Sequence, residues 1–172
     1  ALPDTPPLVS IVIATRDQHR ILARCLDSIR ERTTYPRYEV LVVDNQSADP
    51  ESRAYLRDLA GRPGLTVLPY DHPFNFSAIN NFAAGQARGD LLCLLNNDTE
   101  VISPDWLDEM VGRLLQPGVG VVGAKLYYSD GLVQHGGDVV GPGGCANHLH
   151  SCLAPDDPGY CDRAVLAQEL SA

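Results

Sequence analysis

Leu91-Leu92-Cys93-Leu94-Leu95-Asn96-Asn97-Asp98-Thr99-Glu100 is the stretch on which the fold turns. Five apolar residues run without interruption and five polar residues follow. The apolar run has the length of one β-strand. Because it is apolar at every position, it predicts a strand buried on both faces, as in a parallel sheet covered by helices. The polar tail then emerges at the carboxyl end of that strand, where open α/β sheets bind their ligands.

Working outward, the same grammar repeats. Leu8–Ala14 is a β-branched run and predicts a first buried strand. A helix is expected from about Gln18 to Glu31, because Ile21, Leu22, Cys25, Leu26 and Ile29 fall on one face. Glu39–Val43 predicts a second strand. Asp49-Pro50 offers an N-cap and a first-turn proline for a helix reaching about Ala60. Leu65–Leu68 predicts a third strand, and Ser77–Ala87 a helix of small residues before Gly89. Ser103-Pro104 caps a further helix whose buried face is Trp106, Leu107, Met110, Val111 and Leu114, and Val119–Ala124 predicts a fifth strand. The alternation gives an α/β fold, a three-layer α/β/α sandwich around a mostly parallel sheet. Beyond residue 125 the glycines at 131, 136, 137, 141, 143 and 144 predict loops and an edge hairpin around a turn at Tyr127–Gly131. The expected organisation is therefore residues 1–125 as the ligand-binding layer and 126–172 as a loop-rich continuation.

The chain has 172 residues, enough for one domain with a real core, and a net charge of −9. That acidity argues against a nucleic-acid partner, which needs a basic field. A nucleotide diphosphate is still compatible if a divalent cation or local donors offset the like charge. No apolar run is long enough for a membrane span. The five cysteines are an odd number and fit a reducing, cytoplasmic setting better than a disulfide framework. Cys25 and Cys93 read as small core residues. Cys145, His148, His150 and Cys152 form Cys-x2-His-x-His-x-Cys, which matches no familiar zinc spacing and reads as loop residues.

The candidate chemistry sits just after the strands. Asn96-Asn97-Asp98 offers oxygen ligands for a hard cation such as Mg²⁺ or Mn²⁺. Taken alone, the same residues are also good turn formers that end a strand. Asp44 can accept from a base N–H or a ribose hydroxyl, or can merely cap its own loop. Arg16, in Thr15-Arg16-Asp17, can fork onto phosphate or form a surface ion pair. No Gly-x-Gly-x-x-Gly, Walker or Gly-x-Ser-x-Gly element is present, which weighs against dehydrogenase, P-loop and α/β-hydrolase readings.

Several blocks in fixed order carry a resemblance. They are Val9-Ser10-Ile11-Val12-Ile13-Ala14-Thr15-Arg16-Asp17, Val42-Val43-Asp44-Asn45-Gln46-Ser47, Asn75-Phe76-Ser77-Ala78-Ile79-Asn80, Ala87-Arg88-Gly89-Asp90, and Leu94-Leu95-Asn96-Asn97-Asp98-Thr99-Glu100. Val122–Tyr127 and Gln134-His135-Gly136-Gly137 continue it, over about residues 8–150. The set resembles family 2 glycosyltransferases of the GT-A fold, in the bacterial rhamnosyltransferase-like branch that builds O-antigen or cell-wall polysaccharide. The resemblance implies transfer of a sugar from a UDP- or dTDP-linked donor to a saccharide or lipid-linked acceptor, metal-dependent and inverting. It implies that Thr15, Arg16 and Asp17 line the nucleotide pocket and that Asp44 meets the base or ribose. Asn75, Ser77 and Asn80 would face the donor, and His135 would lie near the donor sugar. Asn96-Asn97-Asp98 corresponds to an Asp-x-Asp metal motif, with Asp98 the ligand of Mn²⁺ or Mg²⁺. Asn96 stands where that motif has its first carboxylate, which implies weaker metal affinity.

The family's general base lies in a later acidic segment, which the resemblance places beyond Ala172. Glu169 does not match it. The expectation is a C-terminally truncated GT-A fold that binds donor nucleotide but turns over poorly or not at all. Two other readings stay open. A nucleotidyltransferase should carry a basic glycine-rich loop after the first strand, and none is present. A binding module that has lost catalysis would lack the acidic segment in its whole sequence. Pairing of an unfinished sheet edge between copies, and membrane association through other parts of a longer protein, are left open too.

Overall fold

The computed structural model describes residues 2–141 and 146–167. The chain divides into two compact units, Ala1–Gly112 and Arg113–Ala172. The first is built on four parallel strands, β1 (Val9–Thr15), β2 (Tyr38–Asp44), β3 (Leu65–Pro69) and β4 (Leu91–Asn96), in the order β3-β2-β1-β4. The apolar runs thus form the expected parallel sheet. Its helices are α1 (His19–Arg32), α2 (Pro50–Leu59), α3 (Phe76–Ala84) and α4 (Trp106–Leu114).

Three layers result. On one face Leu22, Cys25, Leu26 and Ile29 of α1, Leu56 and Leu59 of α2, and Leu107 and Val111 of α4 pack against Ile11, Ile13, Val40 and Val42. On the other, Ile79 and Ala83 of α3 cover Val12, Leu41 and Val43. Alternation of side chains along β1 and β2 sends successive residues to these two cores, which is why both strands are apolar throughout. α2 starts as its sequence dictates, with the Asp49 carboxylate accepting from the Ser52 N–H at 2.8 Å and Pro50 in the first turn.

Two expectations are corrected. β4 is not buried on both faces, since Leu92 and Leu94 are 47% and 53% exposed. β4 is an edge strand that pairs with β1 alone, and the core beneath α3 contains no β4 residue. Val119–Ala124 is not a strand but irregular chain. Gly118, with φ +86°, Gly120 and Gly123 disfavour extended pairing there, and Val121 is 75% exposed. β propensity without a neighbour to complete the ladder does not make a strand. α3 also stops at Ala84, short of the expected Ala87.

The amino ends of the strands are closed by a polar network. The Ser10 hydroxyl donates to Glu39 Oε1 at 2.7 Å and accepts from the Gly89 N–H at 2.9 Å. The Arg88 N–H and Nε each donate to the Glu39 carboxylate at 2.8 Å. This contact requires glycine at 89. A Cβ there would lie 2.6 Å from Ser10 Oγ, 2.7 Å from Ser10 N and 2.8 Å from Leu8 O. Two of these are backbone atoms of the segment that pairs on both sides, so they cannot yield. Gly89→Ala is expected to destabilise the chain by about 2 kcal/mol, an overpacking cost, read as a lower urea midpoint at unchanged slope.

The second unit holds two antiparallel pairs, β5 (Leu126–Tyr127) with β6 (Val133–His135), and β7 (Asp138–Val140) with β8 (Ala146–His148). The expected hairpin turn over Tyr127–Gly131 connects the first pair, with the Tyr128 N–H donating to Leu132 O at 2.8 Å. Cys145 and residues 168–172, Glu169 among them, lie outside the described residues.

Candidate functional site

Parallel register determines what meets at the carboxyl edge of the sheet. Thr15 is paired with Asp44, and Ala14 with both Val43 and Asn96. The polar tails of β2, β1 and β4 therefore leave the sheet side by side, at the edge where such sheets bind ligands. Thr15 is buried, and its hydroxyl accepts from Asn97 Nδ2 at 3.1 Å. That bond leaves the Asn97 amide oxygen available. The Asn45 N–H donates to Thr15 O at 2.9 Å, which extends the β1–β2 ladder into the loops.

Those loops are held by carboxylates. Asp17 Oδ1 accepts from the N–H groups of Ala48 and Asp49, both at 2.8 Å, and the Asp17 N–H donates to Ser47 Oγ at 2.8 Å. Asp44 Oδ1 accepts from the Ser47 N–H at 3.0 Å. Asp17, Gln18 and Gln46 have φ of 55°, 56° and 61°. A non-glycine residue in this left-handed region costs of order 1 kcal/mol or more, and such strain gathers at ligand-binding loops. Asp17 therefore joins the loop after β1 to the loop after β2.

Asp98 and Arg16 differ from their neighbours. Both are exposed, and neither makes a hydrogen bond or ion pair among the described residues. Asn96 O accepts from the Thr99 hydroxyl at 2.8 Å, so the chain turns here and presents Asp98 outward. An exposed carboxylate beside two amide side chains is an oxygen-rich set that suits a hard divalent cation. The nearby Cys25 offers no soft alternative. Burial foremost pushes its thiol up to about 11, and burial pushes Cys93 up to about 12, so both stay protonated core residues.

A small cleft at the same edge is lined by Ala14, Phe76, Asn80, Leu94, Leu95 and Asn96. Asn80 is 9% exposed, and its Nδ2 donates to Phe76 O at 2.9 Å, which orients its amide oxygen. Asn75 is the N-cap of α3, with Oδ1 accepting from the Ala78 N–H at 3.0 Å, and Ser77 is exposed. The first unit thus gathers Thr15, Asp44, Asn96, Asn97 and Asn80 at one edge. Asn75 and Ser77 are on α3 outside the cleft lining. His135 belongs to the second unit, where its Nδ1 lies 3.0 Å from His148 Nδ1 and 3.5 Å from Asp138 Oδ1.

Three residues had no role assigned from the sequence. Asn45 is buried, and its Nδ2 donates to Tyr70 O at 3.2 Å and His72 O at 2.8 Å, pinning the β2 loop to the segment before α3. Ser47 accepts from Asp17. Both stand beside Asp44 in the sequence, which was the available signal. Asp138 carried no signal, because its partners come from strand pairing.

A parallel sheet with helices on both faces and amide and carboxylate side chains along its carboxyl edge defines the class: an α/β domain of the GT-A glycosyltransferase type. Solved structures agree. The mannosyltransferase PcManGT from Pyrobaculum calidifontis, solved in complex with GDP-Man and Mn²⁺, is 26% identical with a TM-score of 0.60, over 67% of this chain and 34% of that one. TarS of S. aureus shares the fold at 20% identity and a TM-score of 0.53, over 62% of this chain and 32% of that one. The model of Glycosyl transferase family 2 matches residues 10–138, and the chain belongs to that family.

Among sequence relatives, the O-antigen biosynthesis protein RfbC of Myxococcus xanthus is 49% identical over 142 residues, 83% of this chain. The uncharacterized protein y4gI of Sinorhizobium fredii is 47% identical over 167 residues, 96% of this chain. The chain spans 11% and 18% of the length of these two relatives. Among the described residues no helix is long and apolar enough to cross a membrane.

Proposed function

We propose that this chain forms the donor-binding part of a sugar transferase that uses a nucleoside-diphosphate sugar, UDP- or dTDP-linked, and a divalent cation. The observation that carries the reading is Asp98, a carboxylate with no hydrogen-bond or ion-pair partner among the described residues, at the ligand edge of the sheet and flanked by amide side chains. Asp98 would hold Mn²⁺ or Mg²⁺, with Asn96 and Asn97 lending oxygen. When bound, the cation neutralises charge on the departing diphosphate. Arg16 would fork onto phosphate, and Asp44 would accept from the base or ribose. Thr15 and Asp17 would act through others, Thr15 by orienting Asn97 and Asp17 by joining the two loops. Asn80 faces the cleft in which the sugar would lie.

Transfer breaks the bond between the anomeric carbon and the diphosphate. It forms one to an acceptor hydroxyl oxygen on the opposite face, with inversion, and the hydroxyl proton passes to a base. No residue of this chain is assigned as that base. The RfbC relative supports a saccharide or lipid-linked acceptor in polysaccharide assembly.

The test is calorimetry of the chain with UDP, dTDP and GDP, each with Mn²⁺ and with chelator. One of these nucleotides is expected to bind at least ~10-fold more tightly with Mn²⁺, about 1.4 kcal/mol. Absence of binding for all three under both conditions would overturn the reading.

A further inference from the structure

The second unit carries a cluster of its own. His135 ends β6, Asp138 opens β7, and His148 ends β8. Asp138 and His148 are directly paired across the β7–β8 ladder. His148 Nδ1 lies 2.7 Å from Asp138 Oδ1 and 3.0 Å from His135 Nδ1, while His135 Nδ1 lies 3.5 Å from Asp138 Oδ1. The two rings stand edge to face at 90°, with centroids 5.1 Å apart.

Hydrogen bonding satisfies this triangle at best through one three-centre bond, a single His148 Nδ1–H shared between Asp138 Oδ1 and His135 Nδ1. If His148 Nδ1 carries the proton and donates to Asp138, it has no lone pair left to accept from His135 Nδ1. If His135 donates to His148 instead, the His148 lone pair faces the carboxylate at 2.7 Å. A cation at the centre satisfies all three atoms as acceptors, leaving each Nε2 to carry its ring proton. The edges of 2.7, 3.0 and 3.5 Å bracket the ligand spacing around zinc, the shortest having to open by about 0.6 Å. Ligands ~2.0–2.1 Å from a tetrahedral zinc are about 3.3 Å apart. Two imidazoles and one carboxylate are a donor set for zinc-like ions rather than for magnesium.

We propose that His135, Asp138 and His148 bind Zn²⁺ through Nδ1, Oδ1 and Nδ1, with water completing the coordination where His148 is exposed. The ion staples β6 to the β7–β8 hairpin. Strands of two and three residues need such help, since an isolated hairpin is marginal in water. Zinc bound this way contributes folding energy to the second unit. The site does not involve the Cys-x2-His-x-His-x-Cys set as a whole. Among the described residues His148 is its one member in this cluster; Cys152 and Cys161 are exposed free thiols, and Cys145 lies outside the described residues.

The experiment uses the whole chain, stripped with chelator and titrated with Zn²⁺ by calorimetry, with thermal unfolding alongside. One Zn²⁺ per chain at sub-micromolar affinity is expected, with a rise in Tm. His148→Ala should weaken binding at least ~100-fold, since losing even a group that only hydrogen-bonds to a metal ligand costs about 10–100-fold, and should remove the rise in Tm. Cys152→Ser and Cys161→Ser should bind zinc as the parent does. His148 is half-exposed, so its variant should fold, which far-UV circular dichroism checks. Cobalt substitution of the parent gives an answer that depends on no variant: visible bands of a nitrogen- and oxygen-bound ion, without thiolate charge transfer. No stoichiometric zinc, affinity unchanged by both His148→Ala and His135→Ala, or a thiolate-to-cobalt band would each overturn the proposal.

Discussion

Asp98→Ala is expected to abolish the Mn²⁺ dependence of nucleotide binding while leaving the fold intact. The side chain is exposed and accepts no hydrogen bond among the described residues, so its removal leaves no buried group unsatisfied. Surface changes of that kind stay within about 0.5 kcal/mol in stability. The effect on ligand binding should be much larger. Asp98 is the carboxylate of the Asn96-Asn97-Asp98 set, and neutral amides are weak cation ligands by themselves. Loss of a carboxylate that binds the ion directly should cost at least the ~100-fold reached by groups that merely hydrogen-bond to a metal ligand. In calorimetry with Mn²⁺ the variant should match the parent in chelator. Asn96→Asp should move the other way, adding a second carboxylate and tightening the Mn²⁺-supported complex. A variant that keeps full Mn²⁺ enhancement would remove Asp98 from the metal role.

Glu39→Ala should give the largest loss of stability. Glu39 is 4% exposed and is the acceptor for the Ser10 hydroxyl, the Arg88 N–H and the Arg88 guanidinium. Burial alone would raise its pKa. The Arg88 N–H, the Ser10 hydroxyl and the Arg88 guanidinium outweigh burial and hold the carboxyl below its ordinary value. Removing it strands buried donors, which costs about 1–3 kcal/mol each, while the exposed guanidinium can rehydrate. A net loss of about 3 kcal/mol is expected, or roughly 6–12 °C in Tm at this chain length. The pH dependence has a definite sign. A depressed pKa stabilises the fold above the unfolded value, near 4.3, and that stability is lost as pH falls through the lower folded value. The gap in stability between the parent and Glu39→Gln should therefore be constant above about pH 5 and narrow below about pH 4. A gap independent of pH from 3 to 7 would show that the ionised carboxylate contributes nothing.

Glu39 also marks where reading residues in order falls short. Alone in the sequence it is one charged residue at the start of an apolar strand, and Ala87-Arg88-Gly89-Asp90 is part of a family pattern. Strand pairing turns the two into one network, because Ser10 is opposite Glu39 on β2 and opposite Leu92 on β4. The cation at Arg88 and the gap at Gly89 then both serve Glu39, at the end of the sheet away from the ligand edge. Asp17 shows the same thing at the other end. The resemblance implies a place for it in a nucleotide pocket, and the loop-joining bonds from the Ala48 and Asp49 N–H groups to its Oδ1 came only with the structure.

By itself the sequence determined whatever depends on a residue and its near neighbours. Apolar runs at 8–14 and 39–43 dictated buried strands, the run at 91–95 dictated a strand, and a 3.6-residue period dictated α1. Asp49-Pro50 began α2 through a bond only three residues long, and polar residues just after the runs marked the ligand edge. Tertiary structure alone decided what depends on pairing between distant segments. It left Leu92 and Leu94 uncovered on an edge strand, and it left Val119–Ala124 without a ladder despite its apolar residues. It also brought His135, Asp138 and His148 within hydrogen-bond reach, since Asp138 meets His148 only through the register of β7 and β8. The physical reason is that helix periodicity and capping act over three or four residues. Sheet register is a cooperative property of two separate strands, and a slip of one residue would turn each of these side chains to the opposite face.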